Sequence, residues 1–204
     1  AVFKNPKTVQ IFNRFASYNG SDPFKAPAML NMICHMEMNL PLYFPKKGMF
    51  QITEAVYNLA LKQNVKFHFN EKVTKINVEQ GKVKGITTKN GTYNSDVVFS
   101  NMDVSFTYEK LLTNEDHPKK ILDQPRSSSA IVFYWGINKE FPELSLHNLL
   151  FTDDYKKEFN GVFDAKETQD DPSIYINITS KYVKDDAPSG NENWFTMINA
   201  PINI

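Results

Sequence analysis

The sequence predicts an α+β (mixed α/β) fold: an antiparallel sheet with helices, interrupted by an insert of one helix, a three-stranded meander and a buried strand. Three observations predict it. Residues 43–103 switch hydrophobic period from 3.6 to 2 and carry two tight-turn signals. Residues 1–42 place apolar side chains at helical spacing. Residues 106–204 hold apolar or alternating runs separated by turn chemistry and helix-like stretches.

The elements follow in order. Residues 6–18 read as a helix with Val9, Phe12, Phe15 and Ala16 on one face, broken at Asn19-Gly20-Ser21-Asp22-Pro23. A second helix runs from Ala26 or Pro27 to residue 38 and carries Met29, Met32, Met36 and Met38. These methionines read either as an adaptable wall for a flexible apolar ligand or as ordinary core packing. A turn at Pro45-Lys46-Lys47-Gly48 opens the insert, and Ile52, Ala55, Val56, Leu59 and Ala60 give its helix one apolar face. Val65, Phe67 and Phe69 alternate with polar residues as a half-buried strand would. Residues 73–78, 82–88 and 92–94 form the meander, turning at Gln80-Gly81 and Asn90-Gly91. Val97-Val98-Phe99 is unbroken apolar, the pattern of a strand buried on both faces. Beyond it, residues 106–112 and 155–163 read as helices, and residues 127–137, 147–151, 174–180 and 194–199 as strands.

Composition limits the function classes. At 41% apolar and 23% charged, the chain of 204 residues is an ordinary globular sequence with room for a sizeable core. The 16 Phe suit a large apolar core, an apolar ligand cavity, or both. Basic and acidic residues balance at 23 each, so no basic field attracts nucleic acid. The one cysteine, Cys34, allows no intramolecular disulfide and fits a reducing compartment. His35, His68, His117 and His147 lack metal-ligand spacing, so no metal is expected. A G-x-S-x-G elbow is missing too. Asp153-Asp154 and Asp170-Asp171 read as solvated turns, and Arg14 reads as an ion-pair partner before a ligand contact. No stretch approaches the roughly 20 apolar residues of a membrane-spanning helix. The chain begins with Ala1 and stops just after a strand, and it reads as an internal piece of a longer polypeptide.

Four segments carry a resemblance. They are Phe12-Asn13-Arg14-Phe15-Ala16-Ser17-Tyr18-Asn19-Gly20-Ser21-Asp22-Pro23 with the later Ala26-Pro27; Pro125-Arg126-Ser127-Ser128-Ser129; Leu146-His147-Asn148-Leu149-Leu150-Phe151 with Asp153-Asp154-Tyr155; and Asn193-Trp194-Phe195-Thr196-Met197. As a set they resemble the bacterial phytoene desaturases, in the superfamily of flavin-dependent amine oxidases and carotenoid desaturases. The order of helix, meander and apolar run resembles the segment through which that superfamily returns to its FAD domain. The resemblance implies an FAD-dependent oxidoreductase that desaturates phytoene or a related long polyene by hydride transfer to flavin. It implies that residues 43–105 are a portion of the FAD-binding domain, whose remainder is a partner. Val73 would contact the adenine end of FAD through its backbone. Residues 1–42 and 106–204 would form one substrate domain around an apolar groove, with Tyr18, Phe24, Met32 and Tyr134 as wall candidates; each also reads as plain core packing. No catalytic residue is assigned. A lipid substrate implies a cytoplasmic enzyme held peripherally at a membrane surface.

Two departures qualify the resemblance. Lys47 stands where relatives commonly carry the first glycine of Pro-x-Gly-Gly-Met, so a side chain occupies the space of a close backbone approach. G-x-G-x-x-G, the pyrophosphate-binding turn, is missing, so the 204-residue chain by itself is expected to be inactive and not to retain FAD. The alternatives are a non-enzymatic lipid- or isoprenoid-binding module and a flavin oxidase of an amine or retinoid.

Overall fold

The computed structural model describes residues 3–202. It is α+β, and its strands pair antiparallel throughout. Helix α1 spans Pro6–Asn13, α2 Asn31–Asn39 and α3 Phe50–Lys62; strands β1 (Val73–Glu79), β2 (Lys82–Thr88) and β3 (Gly91–Asn94) follow. Next come α4 (Val104–Lys110), α5 (Lys119–Leu122), β4 (Ser129–Ile137), β5 (His147–Leu150), α6 (Tyr155–Asn160), β6 (Ile174–Asn177) and β7 (Glu192–Ala200). The chain folds into two compact units. Residues up to 42 join those from 126 onward, and Tyr43–Pro125 forms the other.

In the first unit the Asn5 side chain accepts from Lys7 N–H, and Pro6 takes the first helical position, where a missing N–H costs nothing. The helix expected over residues 6–18 tightens into a 3₁₀ turn at Arg14–Asn19 and stops at Gly20, whose φ is +61°. A Cβ on Gly20 would lie 2.7 Å from Ser127 Cβ. Gly20 O accepts Ser128 N–H at 2.9 Å, so the helix stop is also a joint between the two chain segments of this unit. Gln10 Nε2 donating to Thr152 O (3.1 Å) and the Lys25–Asp164 ion pair (2.8 Å) are further joints.

The sheet of this unit runs in the order β4-β7-β6-β5. Its longest pairing, β4 with β7, extends from Ser129↔Ala200 to Ile137↔Glu192 without a slip. The core gathers around Phe159 and Ile178, both fully buried, with Val162 and Ile176. Phe159 lies 4.9 Å from the Tyr155 ring and 6.2 Å from Phe163. The buried Glu158 accepts from Ser173 Oγ (2.6 Å) and Asn199 Nδ2 (3.1 Å), which ties α6 to β7.

In the second unit β1, β2 and β3 form the meander in sequence order. Gln80 and Gly81 both take positive φ (+49° and +72°), as a two-residue primed turn requires. Gly85 has φ +135°, and a Cβ there would lie 1.9 Å from Tyr93 O, so only glycine lets β2 and β3 approach this closely. Glu71 accepts from Thr88 Oγ1 (2.8 Å) and Tyr93 Oη (2.9 Å); these two donors hold its carboxyl below the usual carboxylate range.

Three expectations are corrected here. The boundary expected at 105/106 falls at 125/126, because Ile76 N–H donates to Leu111 O at 2.9 Å and holds the segment after α4 against β1. Residues 65–69 form no strand. Phe67 and Phe69 stack on each other at 5.8 Å and lie 4.5 and 6.1 Å from the Tyr57 ring of α3, so their alternation packs a helix instead of a ladder. The run Val97-Val98-Phe99 is unpaired among the described residues, and Phe99 is 95% exposed rather than buried. A strand buried on both faces needs a neighbour on each side, and among the described residues none pairs with it.

Candidate functional site

The site is built by strand register. Residues directly opposed in an antiparallel ladder share a face. Tyr134 on β4 opposes Phe195 on β7, which opposes Asn177 on β6; Tyr175 opposes Met197 on β7 and Leu149 on β5, and His147 opposes Asn177. Tyr134, Phe195, Tyr175 and His147 therefore line one face, one ring from each strand. Their ring centroids step across the sheet at 5.5, 6.4 and 6.1 Å. Val132 and Met197 extend this floor. Tyr134 is 82% exposed.

Two clefts lie along the floor. At one end Arg14, Ser17 and Tyr18 meet Tyr175, Met197 and Asn199 around about 290 Å³. At the other, Tyr134, Phe195, Asn177 and Asn193 border about 440 Å³. Arg14 donates to Ser17 Oγ and lies 5.1 Å over the Tyr18 ring; among the described residues it makes no ion pair, contrary to the sequence reading. Burial raises the Tyr18 hydroxyl pKa, and the Glu37 carboxylate raises it further. Burial does the same for Tyr175. Both phenols therefore remain hydrogen-bond donors. Apart from the Arg14 guanidinium at one end, the arrangement offers ring faces and neutral donors and acceptors. It suits an elongated apolar molecule better than a charged one.

The four wall candidates separate. Tyr18 and Tyr134 reach the same sheet face, at its two clefts. Phe24 does not: it lines a different cleft with Gln10, Phe151 and Tyr155, and its ring packs edge-on against Tyr155 at 6.3 Å. Met32 stands exposed on α2, away from both clefts of the floor. Phe195, Tyr175, Asn177 and His147 were missed. The alternation in their strands was legible, but only register brings them beside Tyr134.

Val73 opens β1 opposite Thr88. The ladder slips between Val73 and Lys75, and Thr74 Oγ1 bonds Thr87 O at 3.1 Å. Such a slip takes main-chain groups out of the regular ladder and re-aims the strand start.

The model of the flavin containing amine oxidoreductase family matches residues 2–135. A 1-hydroxycarotenoid 3,4-desaturase from Flavobacterium sp. is 51% identical over 98% of this chain and 41% of its own length. A phytoene desaturase from Fusarium fujikuroi is 29% identical over 93% of this chain and 34% of its own length. The chain thus spans less than half of either relative. The crystal structure of an oxidoreductase from Methanosarcina mazei matches with a TM-score of 0.71 over 98% of this chain and 45% of that one, at 16% identity, a likeness of fold.

Proposed function

The chain belongs to the flavin-containing amine oxidoreductase family, and from that premise we propose that it provides the substrate floor, and a portion of the FAD-binding domain, of an enzyme that desaturates a long polyene of the carotenoid class. The observation that carries this reading is the strip of four rings from four strands, Tyr134, Phe195, Tyr175 and His147, on one sheet face. The relatives' names supply the substrate class, including a hydroxylated carotenoid for the relative at 51% identity. FAD, when bound, supplies the acceptor for the hydride. The chain's own residues bind the polyene flat against rings, orient it and keep water off it. An acid–base dyad is unnecessary for that task.

The experiment uses the full-length protein carrying this chain, loaded with FAD and given a polyene in liposomes or an aromatic amine. Lengthening of the conjugated system, read as a red shift in absorbance, is the expected result. Oxidation of the amine with no change in the polyene would overturn the reading.

The residues for the adenine end of FAD fit in one respect. Val73 is opposed to Thr88, and the slip beside it leaves Thr74 as the residue outside the regular ladder. Because such a contact is main-chain, Val73→Ala should leave FAD affinity in the full-length protein nearly unchanged. Val73→Pro removes the N–H and should lower it about tenfold, the worth of one hydrogen bond. Calorimetric titration of the apoprotein with FAD reads both, and equal affinities for Val73→Pro and the parent would reject the contact.

Membrane docking belongs to the same proposal. Among the described residues no helix is long and apolar enough to cross a membrane. Met29, Met32, Met36 and Met38 are nevertheless exposed, Met29 by 71%, and Leu40 and Leu42 continue the apolar run. An exposed apolar stretch of this kind suits insertion at a bilayer surface. Flotation with phosphatidylserine vesicles should fall several-fold in a Met32→Glu, Met36→Glu double variant; unchanged flotation would remove this stretch from the membrane contact.

A further inference from the structure

The cleft bordered by Tyr134 and Phe195 is lined by Asn177, an amide whose orientation its partners fix. Asn177 Nδ2 donates to Leu146 O at 3.1 Å and lies 3.3 Å from His147 Nδ1. The carbonyl of Leu146 can only accept, so the amide orientation is fixed: turned over, Asn177 would set oxygen against oxygen. That leaves Asn177 Oδ1 without a partner among the described residues, in a cleft that Asn177 lines. His147 Nδ1 is also 2.8 Å from Tyr175 Oη, which braces the arrangement from the floor side.

We propose that this cleft is a subsite for a hydroxyl group at one end of an otherwise apolar polyene, with Asn177 Oδ1 accepting the substrate O–H. The proposal rests on the polyene-desaturase reading and deepens it. Three features select the hydroxyl. The ligand must donate, which excludes a ketone or ether end. The residues lining the cleft carry no charge, Asn193 and Thr179 included, so an ammonium entering among the rings would find no counter-ion. An alkyl end would leave the Asn177 acceptor covered and unpaired, which costs free energy and favours the hydroxylated partner. The Tyr134 and Phe195 rings, edge to face at 5.5 Å, hold the last carbons of the chain against it.

The test compares two polyenes of equal length, one with a terminal hydroxyl and one without, in the FAD-loaded full-length protein. Binding is read by quenching of tryptophan fluorescence, since Trp135 and Trp194 both line the cleft; turnover is read as kcat/KM. The parent should prefer the hydroxylated polyene about tenfold in both readouts, the worth of one good hydrogen bond. Asn177→Leu should bring the ratio to about one while binding of the unhydroxylated polyene persists. Thermal unfolding of Asn177→Leu at the parent's midpoint, together with the persisting binding of the unhydroxylated polyene, separates lost recognition from lost folding. No preference in the parent, or a preference that survives Asn177→Leu, overturns the subsite while leaving polyene desaturation standing. Failure to convert either polyene with flavin bound overturns the desaturase reading, and the subsite with it.

Discussion

Replacing Phe159 with alanine is expected to remove about 4 kcal/mol from the unit formed by residues up to 42 and from 126 onward. Phe159 is fully buried, and its ring sits between those of Tyr155 and Phe163. The truncation loses the transfer free energy of the ring and opens a cavity. The walls of that cavity are held elsewhere: Tyr155 contacts the Phe24 and Phe151 rings, and Glu158 one residue back is anchored to Ser173 and Asn199. Such walls collapse poorly, which places the cost in the upper part of the usual range. Domains are stable by only about 5–15 kcal/mol, so about a quarter or more of the total is at stake. Urea denaturation followed by circular dichroism reads it as a lower midpoint at unchanged slope. A loss under about 1 kcal/mol would mean that Phe159 is not the centre of this core.

Glu192→Ala should cost about 3 kcal/mol, by a different mechanism. Glu192 is 3% exposed. Its carboxylate pairs with Lys181 Nζ at 2.5 Å, accepts Phe141 N–H at 2.9 Å and accepts Trp194 Nε1–H at 2.8 Å. Alanine leaves Phe141 N–H and Trp194 Nε1–H without their acceptor at the start of β7, and leaves the Lys181 ammonium without its counter-ion, with Phe141 O as its remaining acceptor. The pH dependence follows from the same contacts. Burial alone raises the carboxyl pKa, but Lys181 and the Phe141 and Trp194 donors outweigh it, and the folded value lies below the ordinary one. A depressed folded pKa contributes stability that is fully present above the unfolded carboxylate value, about 4.3. That contribution is lost as pH falls through the folded value. Melting temperatures taken from pH 7 downward should therefore converge for parent and variant in acid. A constant gap at every pH would show that the charge of Glu192 plays no part.

How far the fold was legible depends on whether the deciding contact was local. The meander was readable because Gln80-Gly81 states its turn within two residues and Asn90-Gly91 marks the second reversal to within one residue, the turn itself falling at Lys89-Asn90 with Gly91 already opposite Thr88. The stop of the first helix was readable in Gly20, but not its change to a 3₁₀ turn, which coincides with the joint to Ser128 more than 100 positions away. Residues 65–69 and 97–99 have the composition of strands and no partner among the described residues; period reports a tendency to pair, and pairing needs a second chain segment. The same reasoning applies to the floor. Tyr134 stood out in an apolar run, whereas Phe195, Tyr175 and Asn177 join it through the register of β4, β7 and β6. Phe24 and Met32 were chosen by type and proximity to a motif; one packs on Tyr155 and the other faces outward from α2.

The alternation of β4 allows a direct comparison of the two faces of the sheet. Tyr134 lies on the floor beside Phe195, while its neighbour Phe133 projects from the opposite face, and both are exposed. Each can be cut to alanine at little cost to folding. In the FAD-loaded full-length protein, anaerobic bleaching of the flavin by the polyene is measured against substrate concentration. If the floor binds the substrate, Tyr134→Ala raises the concentration for half-maximal bleaching about tenfold, the contribution of one aromatic contact with its buried area, and Phe133→Ala leaves it unchanged. Equal effects of the two variants, or a larger effect from Phe133→Ala, would contradict the assignment of this sheet face to the substrate.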